Sequence, residues 1–163
     1  GFFRADVTSL LKVVTAIREH RPRVLLTNAI RDRHLDHGRG AALVAEASFL
    51  SGLRRIPTEL NGQSQEVWRP TTVLHAVQDH WIDPDLVIDI TPYWEGKEAV
   101  LRCFKSQFHD PASTEPNSPI ANPDFLPFLE GRAREMGRSL GVTYGEGFTV
   151  VRPVGIHDLT VLG

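Results

Sequence analysis

Apolar residues recur at helical spacing near the start of the chain, at Val7, Leu10, Leu11, Val14 and Ile17, with Asp6 placed to cap the first turn. Pro22 breaks this helix, and the continuous run Val24-Leu25-Leu26-Thr27-Asn28 predicts a buried strand. A second helix is predicted over 39–51, where Ala, Leu and Val dominate and Gly52 closes the end. Residues 54–70 are a polar excursion broken by Pro57 and Pro70, with Asn61-Gly62 as a turn signal. Thr71 to Val77 and Leu86 to Ile90 read as strands, joined by a loop containing Asp83-Pro84. Thr91-Pro92 has the cap-then-proline pattern of a helix start, and an apolar stripe follows through Val100, Leu101, Phe104 and Phe108. Residues 110–123 read as a loop long enough to cover a site. Asn122-Pro123 opens a last helix ending near Leu140-Gly141, and Phe148 to Val151 predicts a closing strand.

Helices alternating with apolar strands predict one α/β domain over residues 1–163, a sandwich around a mainly parallel sheet. In such sheets ligands bind beyond the carboxyl ends of the strands. The segment Arg31-Asp32-Arg33-His34-Leu35-Asp36-His37-Gly38 occupies that position, directly after the strand at 24–28. The chain opens with a helix and lacks the strand that normally feeds a βαβ unit, so further polypeptide is expected upstream of Gly1.

Composition narrows the class. The 163 residues are 41% hydrophobic and 23% charged, ordinary globular proportions. A formal charge of −2 and a pI near 6.4 give no electrostatic case for nucleic acid or an anionic membrane. No apolar run approaches the roughly 20 residues that span a bilayer. The single cysteine, Cys103, excludes an internal disulfide and fits a reducing cytosol; a buried, inert thiol on a helix is the expectation.

Two imidazoles and a carboxylate within four positions are suited to metal and proton chemistry, because one ring can coordinate while a carboxylate fixes a neighbour's tautomer. Spacing alone leaves a second reading open, two solvated histidines in a charged loop. A catalytic zinc usually takes three protein ligands and a water, and this segment offers one or two. His20, His75, His80, His109 and His157 are scattered without metal-ligand spacing. Trp68, Trp81 and Trp94 are better explained as core or interface residues than as a sugar-stacking platform.

The run Asp32-Arg33-His34-Leu35-Asp36-His37-Gly38 resembles the D-R-H-P-D-H motif of the zinc-dependent N-acetylglucosaminyl deacetylases of the LmbE-like, PIG-L superfamily. Further segments are similar in the same order: "IREHRPRVLLTN", "EASFLSGLRR", "RPTTVLH", "LVIDIT", "KSQF" and "GVTYGEGF". The closest resemblance is to the branch serving bacillithiol biosynthesis. It implies a Rossmann-like three-layer sandwich and zinc-dependent removal of acetyl from an N-acetylglucosaminyl conjugate of the GlcNAc-malate type. A deacetylase of another N-acylated sugar, or an inactive α/β binding module, are the alternatives.

By that resemblance His37 is the third ligand of one Zn2+. His34 stabilises the oxyanion or protonates the leaving amine, and Asp36 orients and charges His34. Tyr144 helps to hold the reacting carbonyl. Arg69 approaches the substrate or a neighbouring subunit's site, where a surface ion pair is the plainer reading; for Tyr144 the plainer reading is a half-buried packing phenol. The family's A-H-P-D-D motif, which carries the other two ligands and the general base, has no counterpart here, so the resemblance places it upstream of Gly1. Leu35 stands where the family has Pro, and Trp68 where it has His. The resemblance also implies a cytoplasmic protein, a small-molecule N-acetylated sugar conjugate as substrate, and a homo-oligomer, typically a trimer-based hexamer.

Overall fold

The computed structural model describes residues 4–109 and 118–162. Most of the loop predicted at 110–123 therefore lies outside the described residues. Two compact units divide the chain, one comprising residues up to Asp85 together with those from Phe148 onward, the other Leu86–Gly147.

In the first unit, helix α1 spans Val7–His20. The Asp6 carboxylate accepts the Ser9 N–H at 2.7 Å, which satisfies one of the orphan donors of the first turn. Arg21 ends the helix in the left-handed region, returning its N–H to the Ile17 carbonyl. Leu10, Val14 and Ile17 pack against Leu43 and Ala47 of helix α2, Leu35–Leu50, with Leu25, Leu50, Ile56 and Trp68 closing the cluster. Strand β1, Val24–Thr27, runs parallel to β4, Thr72–Ala76, with Leu25 opposite Val73 and Thr27 opposite His75. Between them, β2 (Glu59–Leu60) and β3 (Gln63–Ser64) form a hairpin over Asn61-Gly62. Both turn residues have positive φ, 53° and 76°, the geometry that makes Asn-Gly the preferred pair there.

The sheet is mixed. β4 pairs antiparallel with the C-terminal half of β6, Gly145–Val150, with His75 opposite Thr149. β1 also departs from the fully buried strand predicted, because Val24 and Leu26 are 52% and 64% exposed while Leu25 faces the helices.

Arg18 shows what a buried charge requires. Its guanidinium is almost wholly buried and donates to the carbonyls of Ser51, Leu53 and Ile56 and to the Thr58 hydroxyl, at 2.7–3.0 Å. It therefore closes the carbonyl-rich end of α2 and the turn that follows.

In the second unit, β5 (Leu86–Asp89) leads through a 3₁₀ turn, Thr91–Tyr93, into α3, Trp94–Arg102, and later α4, Phe125–Arg138. A Cβ on Gly145 would lie 2.7 Å from the Gly137 nitrogen, so α4 and the start of β6 meet backbone to backbone. The apolar stripe predicted on one helix is cut short. α3 ends at Arg102, so Phe104 and Phe108 lie beyond it and Phe104 is exposed. Cys103 is likewise exposed and not buried, because it caps that helix end, its Sγ 3.3 Å from the Ala99 carbonyl. Among the described residues, no helix is long and apolar enough to cross a membrane.

Candidate functional site

The histidine segment folds differently from the loop predicted through residue 38. α2 begins at Leu35, so Asp36 and His37 lie in its first turn and His34 is its N-cap. The His34 backbone is extended, with φ −85° and ψ 121°, and its Nδ1 accepts the Asp36 N–H at 3.2 Å. An imidazole thus takes the place of the usual Ser, Thr, Asp or Asn. As an acceptor, Nδ1 carries no proton, which puts the ring N–H of the neutral tautomer on Nε2.

His37 follows one turn later, and its ring centroid is 5.4 Å from that of His34. Its Nδ1 lies 2.5 Å from Oδ2 of Asp32, whose side chain is fully buried. The other Asp32 oxygen accepts the N–H groups of Asp79 (3.0 Å) and His80 (2.8 Å). Burial pushes the Asp32 carboxyl up, but the His80 N–H, the His37 ring and the Arg33 N–H outweigh it and hold it below the ordinary carboxylate value. Arg33 pairs with Asp79 at 2.7 Å, and Gln78 Oε1 accepts both the Ala29 N–H and the Asn28 amide. The turns after β1 and β4 are therefore bound into one rigid rim. Gly38 completes it, since a Cβ there would lie 3.2 Å from the Ile30 carbonyl oxygen.

Of the residues predicted for the site, the structure brings His34, Asp36 and His37 together. The Asp36 carboxylate accepts from Arg39 Nη1 at 3.2 Å, and the contact it offers His34 Nδ1 is its backbone N–H.

Arg69 does not join them, and among the described residues it forms no ion pair. Its Nη2 donates to the Phe49 carbonyl at 2.9 Å, and its guanidinium lies 4.6 Å from the Phe49 ring centroid. That is the C-terminal end of α2, about 18 Å along the helix from His37 at the usual rise. The free carbonyls of a helix end attract a cation there.

Tyr144 is held within the second unit. Its hydroxyl donates to Glu130 Oε1 and accepts from Arg134 Nη2, both at 2.9 Å. Its ring stacks on Trp94 at 4.4 Å, with the Arg134 guanidinium 4.7 Å away. Burial first, and then the bond to Glu130, raise the phenol above its ordinary value.

Asp32 is the residue that sequence reasoning missed. It stood inside the motif without a role, and five positions before His37 it shares no helical face with it.

No protein-family model matches the chain. Among solved structures, the conserved protein TT1542 of Thermus thermophilus superposes with a TM-score of 0.79 at 27% identity, over 98% of this chain and 67% of that one. GalB, the 4-carboxy-2-hydroxymuconate hydratase of Pseudomonas putida, gives 0.70 at 20% identity over 96% and 63%. The N,N'-diacetylchitobiose deacetylase of Pyrococcus horikoshii, in complex with an inhibitor, gives 0.68 at 22% over 92% and 53%. This chain shares their α/β fold. It spans about two thirds of the first structure and less of the other two.

The fold hosts both a hydratase and a deacetylase, so the chemistry must be argued from the side chains. For a metal ion, His37 has a suitable form: Nδ1 faces a carboxylate, and with the proton on Nδ1 the Nε2 lone pair is available. Among the described residues, no group of three or more His, Cys, Asp and Glu side chains is placed to hold one. His37 fits as a single donor.

Proposed function

We propose that this chain carries part of the active site of a metal-dependent amidohydrolase that removes acetyl from an N-acetylglucosaminyl conjugate. The observation that supports it is the juxtaposed pair His34 and His37, each engaged at Nδ1, at the carboxyl end of β1. The resemblance of the flanking sequence to LmbE-like deacetylases supports the substrate class, with GlcNAc-malate favoured over a chitooligosaccharide.

In this reading His37 Nε2 holds a Zn2+ whose remaining donors come from polypeptide outside the described residues. Zinc, when bound, supplies a water acidified to a pKa of about 7 and polarises the acetamide carbonyl. His34 would present its Nε2–H to the oxygen on which negative charge develops; to protonate the departing amine it must act as the imidazolium, which requires a proton on Nδ1 and releases the Asp36 N–H. The helix N-terminus beneath it adds favourable partial charge for that anion. Tyr144 would help to hold the reacting carbonyl, and Arg69 would act on the substrate of a neighbouring subunit in the working assembly, a cytoplasmic homo-oligomer.

The test is acetate and amine release from GlcNAc-malate and from diacetylchitobiose, with Zn2+ supplied, by the polypeptide that contains this chain. Turnover that disappears in His37→Ala together with the bound metal is the expected result. Metal-independent turnover, or none on any N-acetylated sugar, rejects the proposal.

A further inference from the structure

We infer that Asp32 is the positioning residue of His37: its buried carboxylate locks the ring as the Nδ1–H tautomer and aims Nε2 at the site. This rests on the proposed reading of His37 as a metal donor. Four observations carry it. The Asp32 side chain is fully inaccessible, so its charge must be matched by fixed partners. Two of these are the backbone N–H groups of Asp79 and His80, which cannot reorient and so hold the carboxylate plane. The third is His37 Nδ1, in reach of the remaining oxygen. A carboxylate whose Oδ1 already accepts two backbone N–H groups is favoured in its ionised form, so the proton between Oδ2 and the ring belongs to Nδ1. Finally, Asp36 offers its backbone N–H to His34 Nδ1, and its carboxylate accepts from Arg39 Nη1.

The arrangement couples two distant stretches of chain to one nitrogen. Asp79 and His80 lie 47 and 48 residues from Asp32 in sequence, and Arg33 and Gln78 fasten the same two turns. A ligand whose second nitrogen is fixed in this way needs no reorganisation when a cation arrives. His34 is engaged in the opposite sense, with Nδ1 accepting, so the pair presents one lone pair and one N–H to the same opening. Two carboxylates close in sequence thus serve different ends of the motif.

The experiment is a long-range 1H–15N correlation spectrum of the histidine rings in the metal-free chain at about pH 8. The wild-type His37 ring is expected to show the Nδ1–H pattern. Asp32→Asn keeps the shape, but the two backbone N–H groups capture its amide oxygen and turn its NH2 toward Nδ1. His37 then flips to the Nε2–H tautomer. In the polypeptide that contains this chain, Zn2+ should bind roughly 10- to 100-fold more weakly when Asp32→Asn is present. An Nε2–H tautomer in the wild-type protein overturns the assignment and needs no variant to fold. An unchanged tautomer in a folded Asp32→Asn overturns it too. If the tautomer flips as expected but the polypeptide that contains this chain binds no Zn2+ with or without the substitution, the positioning stands and the proposed metal chemistry fails.

Discussion

The imidazole of His34 accepts the backbone N–H of Asp36 at 3.2 Å, making one side chain both the cap of α2 and a member of the candidate site. These two duties separate by mutation. His34→Ala should lose about 1 kcal/mol of stability with the cap, together with turnover. His34→Asn restores a good capping oxygen without an imidazole, so its melting temperature should stay near wild type while amine release falls by about 10²–10⁴-fold. An active Asn variant would show that the ring itself takes no part.

Removing Arg18 should be the most damaging single change outside the site. Arg18→Met is close in volume but leaves the Ile56 carbonyl and the Thr58 hydroxyl without their donor, while the Ser51 and Leu53 carbonyls keep only the Trp68 and Ile56 N–H groups. Each unsatisfied buried group costs about 1–3 kcal/mol, so a loss of roughly 3 kcal/mol or more is expected in urea unfolding. A loss below about 1 kcal/mol would mean that water replaces the guanidinium.

The chain has two tyrosines, Tyr93 and Tyr144. Phenol ionisation followed by ultraviolet absorbance should be spread out, with Tyr144 titrating above the usual value of about 10. The sign follows from its surroundings: burial and the Glu130 carboxylate both disfavour a second negative charge there. Glu130→Gln should move Tyr144 down toward the ordinary value. If the curve is unchanged, the hydroxyl contact with Glu130 is not made in solution.

Glu130 itself is held below its usual value by Arg134 first and Tyr144 second. A lowered carboxylate contributes stability above its unfolded value of about 4.3, lost as pH falls through the folded value. Loosening of the Trp94–Tyr144 stack, read by tryptophan fluorescence, should therefore set in only below about pH 4, and Arg134→Met should shift its onset upward.

Gly38→Ala tests how tightly the rim is drawn. The new methyl would meet the Ile30 carbonyl at 3.2 Å, so either that turn or the first turn of α2 must yield by a few tenths of an ångström. The expected outcome is a small loss of stability with altered His34 and His37 ring shifts. Unchanged ring shifts would show that the turn yields away from the site.

Several elements were readable from local sequence because local forces make them. α1 carries its own apolar face and the Asp6 cap, and Asn61-Gly62 has the residues its positive φ angles require. The start of α2 was misplaced by four residues, because histidine is not a usual cap and the helix was sought only where alanine and leucine dominate. The helix predicted through Phe108 ended at Arg102 for a related reason, since apolar spacing continued after the backbone had turned.

His34, Asp36 and His37 were recognisable as a group because one short segment places them on neighbouring turns. The chain's own sequence thereby determined the alternation of helices and strands, the position of the imidazole pair and the chemistry it can offer. Tertiary structure decided which atoms of that pair are free. Asp32 reaches His37 only because backbone groups from a turn nearly fifty residues away hold it there, Arg69 is taken by the far end of α2, and Tyr144 is engaged by α4. Hydrogen-bond partners compete for each polar atom across the whole fold, and a linear pattern does not contain the outcome of that competition.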